Sequence, residues 1–510
     1  MSRRGIFKLC LIPFLLFYAL PASAAEKEER AWQNEMIYFV MVDRFNNGDT
    51  SNDVEVNTKD PKAYHGGDLR GIINQLDYIK EMGFTSIWLT PIFENEPGGY
   101  HGYWISDFMK VEEHFGTLDD MKELVEKAHE RDMKIILDFV ANHTGYQHEW
   151  LNDSDKAGWF HENQPISNWD NQDDLENGWL FGLPDLDQSH PEARQYLLDA
   201  AAYWIEETDI DGYRLDTVRH VPKEFWEEFA VHVKSLKENF FLLGEVWDND
   251  PRYLAEYEKT GIDSFVDYPL YEEMGAVFSE PDKSIGPLYD VWRRNEAYYQ
   301  NPYLLGTFLD NHDNVRFTRK AIQKQQHPGT RLKMALSYLY TAPGIPIVYY
   351  GTEIAMDGGE DPDNRQLMNF RTDDELNKYI GKLASIRKEF SALTEGNFEM
   401  LYDQGGMAVF KRTANNEQMI IALNNSSKAE KAVLDSSVIA ENKELKGLLL
   451  DDSVAEQNGA YEIVLDRETA EIYRLEDKTG INYSFISVIV LIPVLFAAFL
   501  FANRRKKNHQ

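Results

Sequence analysis

The 510-residue sequence contains one cysteine, Cys10. It falls in the apolar N-terminal segment, so a chain processed near Ala25 has no cysteine and no disulfide. Such a fold rests on packing and on any bound metal. Positive charge is also scarce, with 52 Lys and Arg against 86 Asp and Glu and a formal net charge of -34. That balance argues against a nucleic-acid partner, which calls for a basic surface. An acidic surface favours solubility without naming a function. The sequence shows no internal repeat and no low-complexity tract. A Ser nucleophile elbow, a His/Cys zinc cluster and a Gly-rich phosphate loop after the first apolar strand are likewise missing.

Long apolar runs are confined to the two ends. Arg3, Arg4 and Lys8 precede apolar Leu9 to Leu20, and Ala22-Ser-Ala24 supplies small residues for cleavage. Residues 1–24 thus read as a secretory signal peptide. A membrane-anchoring first helix is the alternative, disfavoured by the shortness of the run. Residues 481–502 are long and apolar enough to span a bilayer, and Arg504-Arg-Lys-Lys507 follows as a positive-inside flank, with 503–510 as a cytoplasmic tail. The expectation is an outward-facing body at the cell surface, tethered by a C-terminal transmembrane helix.

Between the ends, apolar β-rich stretches alternate with amphipathic ones. Strands are expected at 36–42, 86–91, 134–140, 212–218, 240–246, 264–268, 304–309 and 346–350. Helices are expected at 72–82, 117–132, 190–208, 222–239 and 330–339. Thr117 suits a helix N-cap, and Asp119 and Asp120 suit its first turn. Eight such units over somewhat more than ~250 residues predict an α/β fold of the (β/α)8 TIM-barrel class. A doubly wound sheet is the runner-up. The rhythm lapses over the loop-rich segment 142–189, read as a domain inserted after strand 3, so the barrel comprises 26–141 and 190–395. Short alternating strands over 396–476 predict a C-terminal antiparallel β-sandwich.

Chemistry-bearing residues gather where strands end, the end at which such barrels build their sites. Arg214 and Asp216 share one side of the fourth strand. A guanidinium there keeps a carboxylate ionised, as a nucleophile requires, or the two form a purely structural pair. Glu245 ends the fifth strand, and Asp313 follows the seventh. Two carboxylates facing one bond are the minimum for glycoside cleavage, and a third helps to stabilise a cationic transition state. The loop Gly99-Tyr-His-Gly-Tyr-Trp104 reads as a sugar-stacking wall or as a packed aromatic loop. Asn47, Asp49, Asn52 and Asp53, with Gly66-Gly-Asp68 beyond, read as a calcium loop or as ordinary polar turns.

The ordered set Asp138-Phe-Val-Ala-Asn-His143, Leu183-Pro-Asp-Leu186, Gly212 to His220, Gly244-Glu-Val-Trp247 and Phe308 to Asp313 resembles the α-amylase family, glycoside hydrolase family 13. The resemblance covers nearly all of the chain between its apolar ends. It implies Asp216 as nucleophile, Glu245 as general acid/base and Asp313 as transition-state stabiliser. It implies His143 and His312 on the sugar at the cleavage point, Tyr103 stacked beneath it with His101 in the same loop, and Arg214 holding Asp216. Arg219 and His220 would bind on the acceptor side, and Asp361 and Arg365 on the donor side. A Ca2+ ion is implied between barrel and insert, on Asn142, Asp185 and the His220 carbonyl. A second is implied on Asn47, Asp49, Asn52, Asp53, Gly66 and Asp68, as in cyclodextrin glucanotransferases and some maltogenic amylases.

The sequence also departs from its relatives. The sandwich leads straight to the apolar run, without the further starch-binding domains of glucanotransferases, and the extra N-terminal domain of neopullulanase-like enzymes is absent. Thr217 stands where a Val would resemble enzymes that cleave 1,6 links, and Arg219 stands where the family often has Lys. The resulting expectation is a monomeric cell-surface α-amylase acting on starch and malto-oligosaccharides with retention of configuration. Alternatives are a transglycosylase, such as a cyclodextrin glucanotransferase or maltogenic amylase, and a non-catalytic tethered glucan-binding or transporter accessory protein. The three carboxylates disfavour the non-catalytic readings.

Overall fold

The computed structural model describes residues 30–372, 374–478 and 491–498. Eight parallel strands form its centre: β1 (Ile37–Val40), β2 (Ser86–Leu89), β3 (Lys134–Phe139), β4 (Gly212–Leu215), β5 (Phe241–Gly244), β6 (Ser264–Phe265), β7 (Gly306–Phe308) and β8 (Ile345–Tyr349). Spatial order follows chain order, from β6 through β5, β4, β3, β2 and β1 to β8 and β7. A parallel bridge between Val266 and Gly306 closes the ring. β1, β2 and β4 are buried at every position, as expected of parallel strands covered on both faces. Each strand begins and ends within a few residues of its sequence-based position. The differences lie at the ends, where pairing stops before apolarity does.

The helices follow their local signals. Leu118–Glu130 opens with a complete capping box between Thr117 and Asp120. Pro191–Thr208 places proline in its first turn and ends on left-handed Asp209. The helix expected over 72–82 is instead two pieces, Leu69–Asn74 and Leu76–Glu81, broken at Gln75, whose φ of -109° and ψ of 8° are not helical. The aromatic loop at 99–104 also has a frame that periodicity did not reveal. It tips an antiparallel hairpin of Phe93–Asn95 and Ile105–Val111.

The insert follows β3, and the next barrel helix begins at Pro191. It is loop-rich, with one short α-helix, Gln172–Asn177, among brief 3-10 turns, and is pinned to itself by bridges pairing His143 with Asp185 and Phe160 with Leu186.

Beyond Gly396, a six-stranded antiparallel sheet and a two-stranded ladder, Glu430–Asp435 with Ala460–Leu465, form the C-terminal domain. Alternation along Met407–Ala414 divides its side chains between two cores. Ala408 and Phe410 join the barrel core, whereas Met407 and Val409 pack under the ladder. Arg412 donates to the carbonyls of Gly396 and Thr341, tying this domain to the end of the barrel helix Pro328–Thr341.

Among the described residues no helix is long and apolar enough to cross a membrane. Of the expected span 481–502 only 491–498 is described, and it is helical. The expected signal peptide at 1–24 and tail at 503–510 lie outside the described residues.

Candidate active site

Asp216 follows β4, Glu245 follows β5, and Asp313 lies in the loop after β7. All three line one cleft of about 530 Å³. Arg214, on β4 beneath them, is 1% exposed. Its Nη1 donates to Asp216 Oδ1 at 2.6 Å and to both oxygens of Asp138 at 3.0 Å. Its Nη2 lies 2.7 Å from Glu245 Oε1. One guanidinium therefore holds the expected nucleophile, the expected acid/base and a third carboxylate at the end of β3. Asp138 also accepts from Tyr103 Oη at 2.9 Å and Trp88 Nε1 at 3.2 Å.

Thr217 has φ 46° and ψ 42°, a left-handed conformation that costs a β-branched residue energy. The turn aims its backbone N–H at Glu245 Oε2 (3.1 Å) and its hydroxyl at Asp216 Oδ2 (3.0 Å). Local strain is thus offset by two bonds onto the reacting carboxylates. Tyr268, just past β6, donates to Glu245 Oε1 at 2.9 Å.

Burial raises Glu245 above the ordinary carboxylate range; Arg214 opposes the rise and the charges of Asp216 and Asp313 add to it. Burial raises Asp216 as well, with Arg214 opposing through charge and hydrogen bond. Burial and the crowding of like charges thus favour a proton on one of these carboxyls, while Arg214 favours the charged form of the others.

Asp313 lies 3.4 Å from Arg365 Nη2 and 3.3 Å from His312 Nε2. Arg365 in turn pairs with Asp361 at 3.1 Å and donates to the His312 carbonyl at 2.9 Å. Tyr103 stacks on His312, with centroids 5.1 Å apart and planes 5° apart. His101 and His143 line the same cleft. Burial pushes His143 and His220 down to about 4 and His101 and His312 well below their usual value, so all four are neutral imidazoles near neutral pH. Neutral imidazoles both donate to and accept from sugar hydroxyls.

Two of the expected sugar contacts also bond to protein groups. Arg219 spends its guanidinium on the carbonyls of Trp247 and Trp169 (2.6 and 3.0 Å). The His220 ring bonds the Leu175 carbonyl of the insert at 3.0 Å. Both residues line the cleft and also tie the insert to the barrel.

The two expected calcium sets differ. Asn142 Oδ1 and Asp185 Oδ1 are buried without a hydrogen-bond partner. Asp185 Oδ2 meets His161 Nδ1 at 2.6 Å. Two orphaned hard oxygens at the insert–barrel junction fit a calcium ion. In the first loop, Asn47 donates to Asp53 at 2.8 Å, and left-handed Gly66 lies against both. Asn52 Oδ1 is buried and unpartnered. Asp68 instead caps the helix Leu69–Asn74 and accepts from the backbone N–H groups of Gly48, Asp49 and Gly71. Exposed Asp49 accepts from Ser51. Asp68 therefore has a structural role that its Asp-rich surroundings concealed. Among the described residues, no group of three or more His, Cys, Asp or Glu side chains is placed to hold a metal ion.

Residues 39–389 match the family model of the α-amylase catalytic domain, and residues 396–473 match that of the α-amylase C-terminal domain. The chain belongs to the α-amylase family. Its fold superimposes on the crystal structure of an Anoxybacillus α-amylase, described as a new glycosyl hydrolase subclass, with a TM-score of 0.88 and 66% identity over 89% of this chain and 100% of that one. A β/α-amylase of Paenibacillus polymyxa is 37% identical over 87% of this chain, which spans 38% of that protein's length. A cyclomaltodextrin glucanotransferase of Klebsiella oxytoca is 30% identical over 92% of this chain and 82% of its own.

Sequence reasoning passed over several residues of this α-amylase site. Asp138 stood inside a quoted motif, and its position at the end of β3 was the available signal. Tyr268 ends the expected strand at 264–268. Trp169 and Phe181 of the insert line the cleft beside Trp247 of the Gly244–Trp247 motif, and the three are 48%, 79% and 49% exposed. No spacing rule links insert residues to the fifth strand, so their convergence is a product of the tertiary fold.

Proposed function

We propose that this α-amylase hydrolyses internal α-1,4 bonds of starch and malto-oligosaccharides with retention of anomeric configuration. The observation that carries the reading is the single guanidinium of Arg214 bonded to both Asp216 and Glu245. Carboxyls held on one fork suit the separation of about 5–5.5 Å of retaining glycosidases, too short to admit a water between them.

In this reading Glu245 gives its proton to the glycosidic oxygen as Asp216 Oδ2 attacks the anomeric carbon. The leaving saccharide departs with that proton, and a glycosyl ester forms on Asp216. Glu245, now a carboxylate, takes a proton from water, which attacks the same carbon and releases Asp216. Asp313 stabilises the positive charge on the ring in both steps. The neutral imidazoles of His143 and His312 hold sugar hydroxyls without adding a positive charge to the site. Calcium on Asn142 and Asp185 would brace the strand ends that carry the machinery. The terminal apolar runs of the sequence support secretion and a C-terminal tether.

A second reading, glucanosyl transfer, is favoured by the exposed aromatic walls of the cleft, which offer stacking surfaces to an acceptor sugar. Incubation with starch and a time course of product sizes separates the two. Hydrolysis gives a steady fall in chain length with new reducing ends; transfer gives cyclic or elongated products with few new reducing ends.

A further inference from the structure

The cleft has two distinguishable sides. Asp361 and Arg365 flank Asp313 on one of them. Glu245, as the acid, faces the glycosidic oxygen, so the residues beyond it border the departing saccharide. Trp247 is the second residue past Glu245 and stacks on Tyr268, with centroids 5.2 Å apart and planes 5° apart. Trp169 reaches the cleft from the insert and packs edge-on against His220 at 6.1 Å. The two indoles are about half exposed, on segments far apart in the chain.

Arg219 joins those segments. Its side chain is 11% exposed. Nη1 donates to the Trp247 carbonyl at 2.6 Å and lies 3.3 Å from Asp248 Oδ2, and Nη2 donates to the Trp169 carbonyl at 3.0 Å. The insert answers through Gln172, whose Nε2 donates to the Arg219 carbonyl at 2.9 Å. We infer that Arg219 is a positioning residue: its guanidinium sets Trp169 and Trp247 as a fixed pair of walls for the leaving saccharide. This rests on the glucan-cleaving function proposed above.

A planar guanidinium reaches two carbonyls through two nitrogens; a lysine offers one nitrogen on a flexible stem. A guanidinium already committed to two carbonyls and a carboxylate has few N–H groups left for sugar hydroxyls. Its influence on substrate is therefore expected to pass through the tryptophans.

The test is a mutant cycle on the full-length enzyme with maltoheptaose, read as kcat/KM. Arg219→Ala is expected to lose about tenfold and the Trp169→Ala/Trp247→Ala pair about thirtyfold. The triple variant is expected to lie within about twofold of the Trp pair, because Arg219 then has nothing left to position. A triple variant that loses a further tenfold overturns the inference, since the guanidinium would then act on the sugar or on the fold directly. Arg219→Lys taken through the same cycle gives the same contrast where the alanine variant does not fold. A wild-type enzyme inert on maltoheptaose defeats the proposed function and this inference together; an active wild type with additive losses defeats only the inference.

Discussion

The hydroxyl of Tyr268 donates to Oε1 of Glu245 at 2.9 Å. Arg214 reaches the same oxygen, so Oε1 carries two donors against the single Thr217 N–H on Oε2, which leaves Oε2 the better seat for the proton of the acid form.

Removal of the Tyr268 hydroxyl takes away a bond that favours the Glu245 carboxylate. Its proton affinity, already raised by burial, then rises further. The acid works protonated, so the alkaline limb of the kcat profile moves to higher pH. Tyr268→Phe is expected to shift that limb by about one pH unit, which a charge-assisted hydrogen bond can supply. A pH–rate profile of the variant beside wild type checks it, and a limb that stays or moves down contradicts it.

Asp138 should matter to Arg214 as much as Asp216 does. It takes Nη1 through both of its oxygens, is fully buried, and itself sits well above the ordinary carboxylate range because of burial. Asp138→Ala leaves a buried guanidinium short of one counter-ion. The expected cost is about 3–5 kcal/mol of stability, together with a large loss of turnover as Asp216 and Glu245 lose register. Denaturant unfolding and kcat measured on one preparation test both.

Calcium should act on stability more than on chemistry. A cation held by Asn142 and Asp185 binds the folded chain alone and adds about 2.7 kcal/mol at a hundredfold excess over its dissociation constant. Asp185→Ala is expected to lose most of the calcium-dependent rise in melting temperature, and Asp49→Ala to keep most of it. Asp68→Ala should cost about 1 kcal/mol with or without calcium, because it removes a helix cap. Thermal melts of the three variants, with calcium and with chelator, separate these outcomes.

The proposed tether is tested by fractionation. Full-length protein is expected with membranes and to be released by protease added outside the cell, while a chain stopped near Asp477 is secreted and active. A full-length chain that stays soluble without proteolysis removes the anchor.

The barrel was legible because its strands carry apolar runs, and because Asp216 and Glu245 end such runs while Asp313 follows another. Thr117 announced its helix as an N-cap, with Asp119 and Asp120 in the first turn. Three-dimensional facts were not legible. The break at Gln75 interrupts a pattern that is apolar on both sides. The hairpin around the aromatic loop depends on pairing between Phe93–Asn95 and Ile105–Val111, segments for which no strand was expected. Asp68 resembles a calcium ligand by composition but caps a helix by position. Arg219 resembles a sugar ligand by motif, yet it spends its donors on carbonyls from two distant segments, which no local pattern encodes.

The central claim is that Asp216 attacks the sugar directly while Glu245 supplies the proton. NMR of the first-formed product of malto-oligosaccharide cleavage, taken before mutarotation, tests it most directly. The account predicts the α-anomer; a β-anomer as the first product contradicts it.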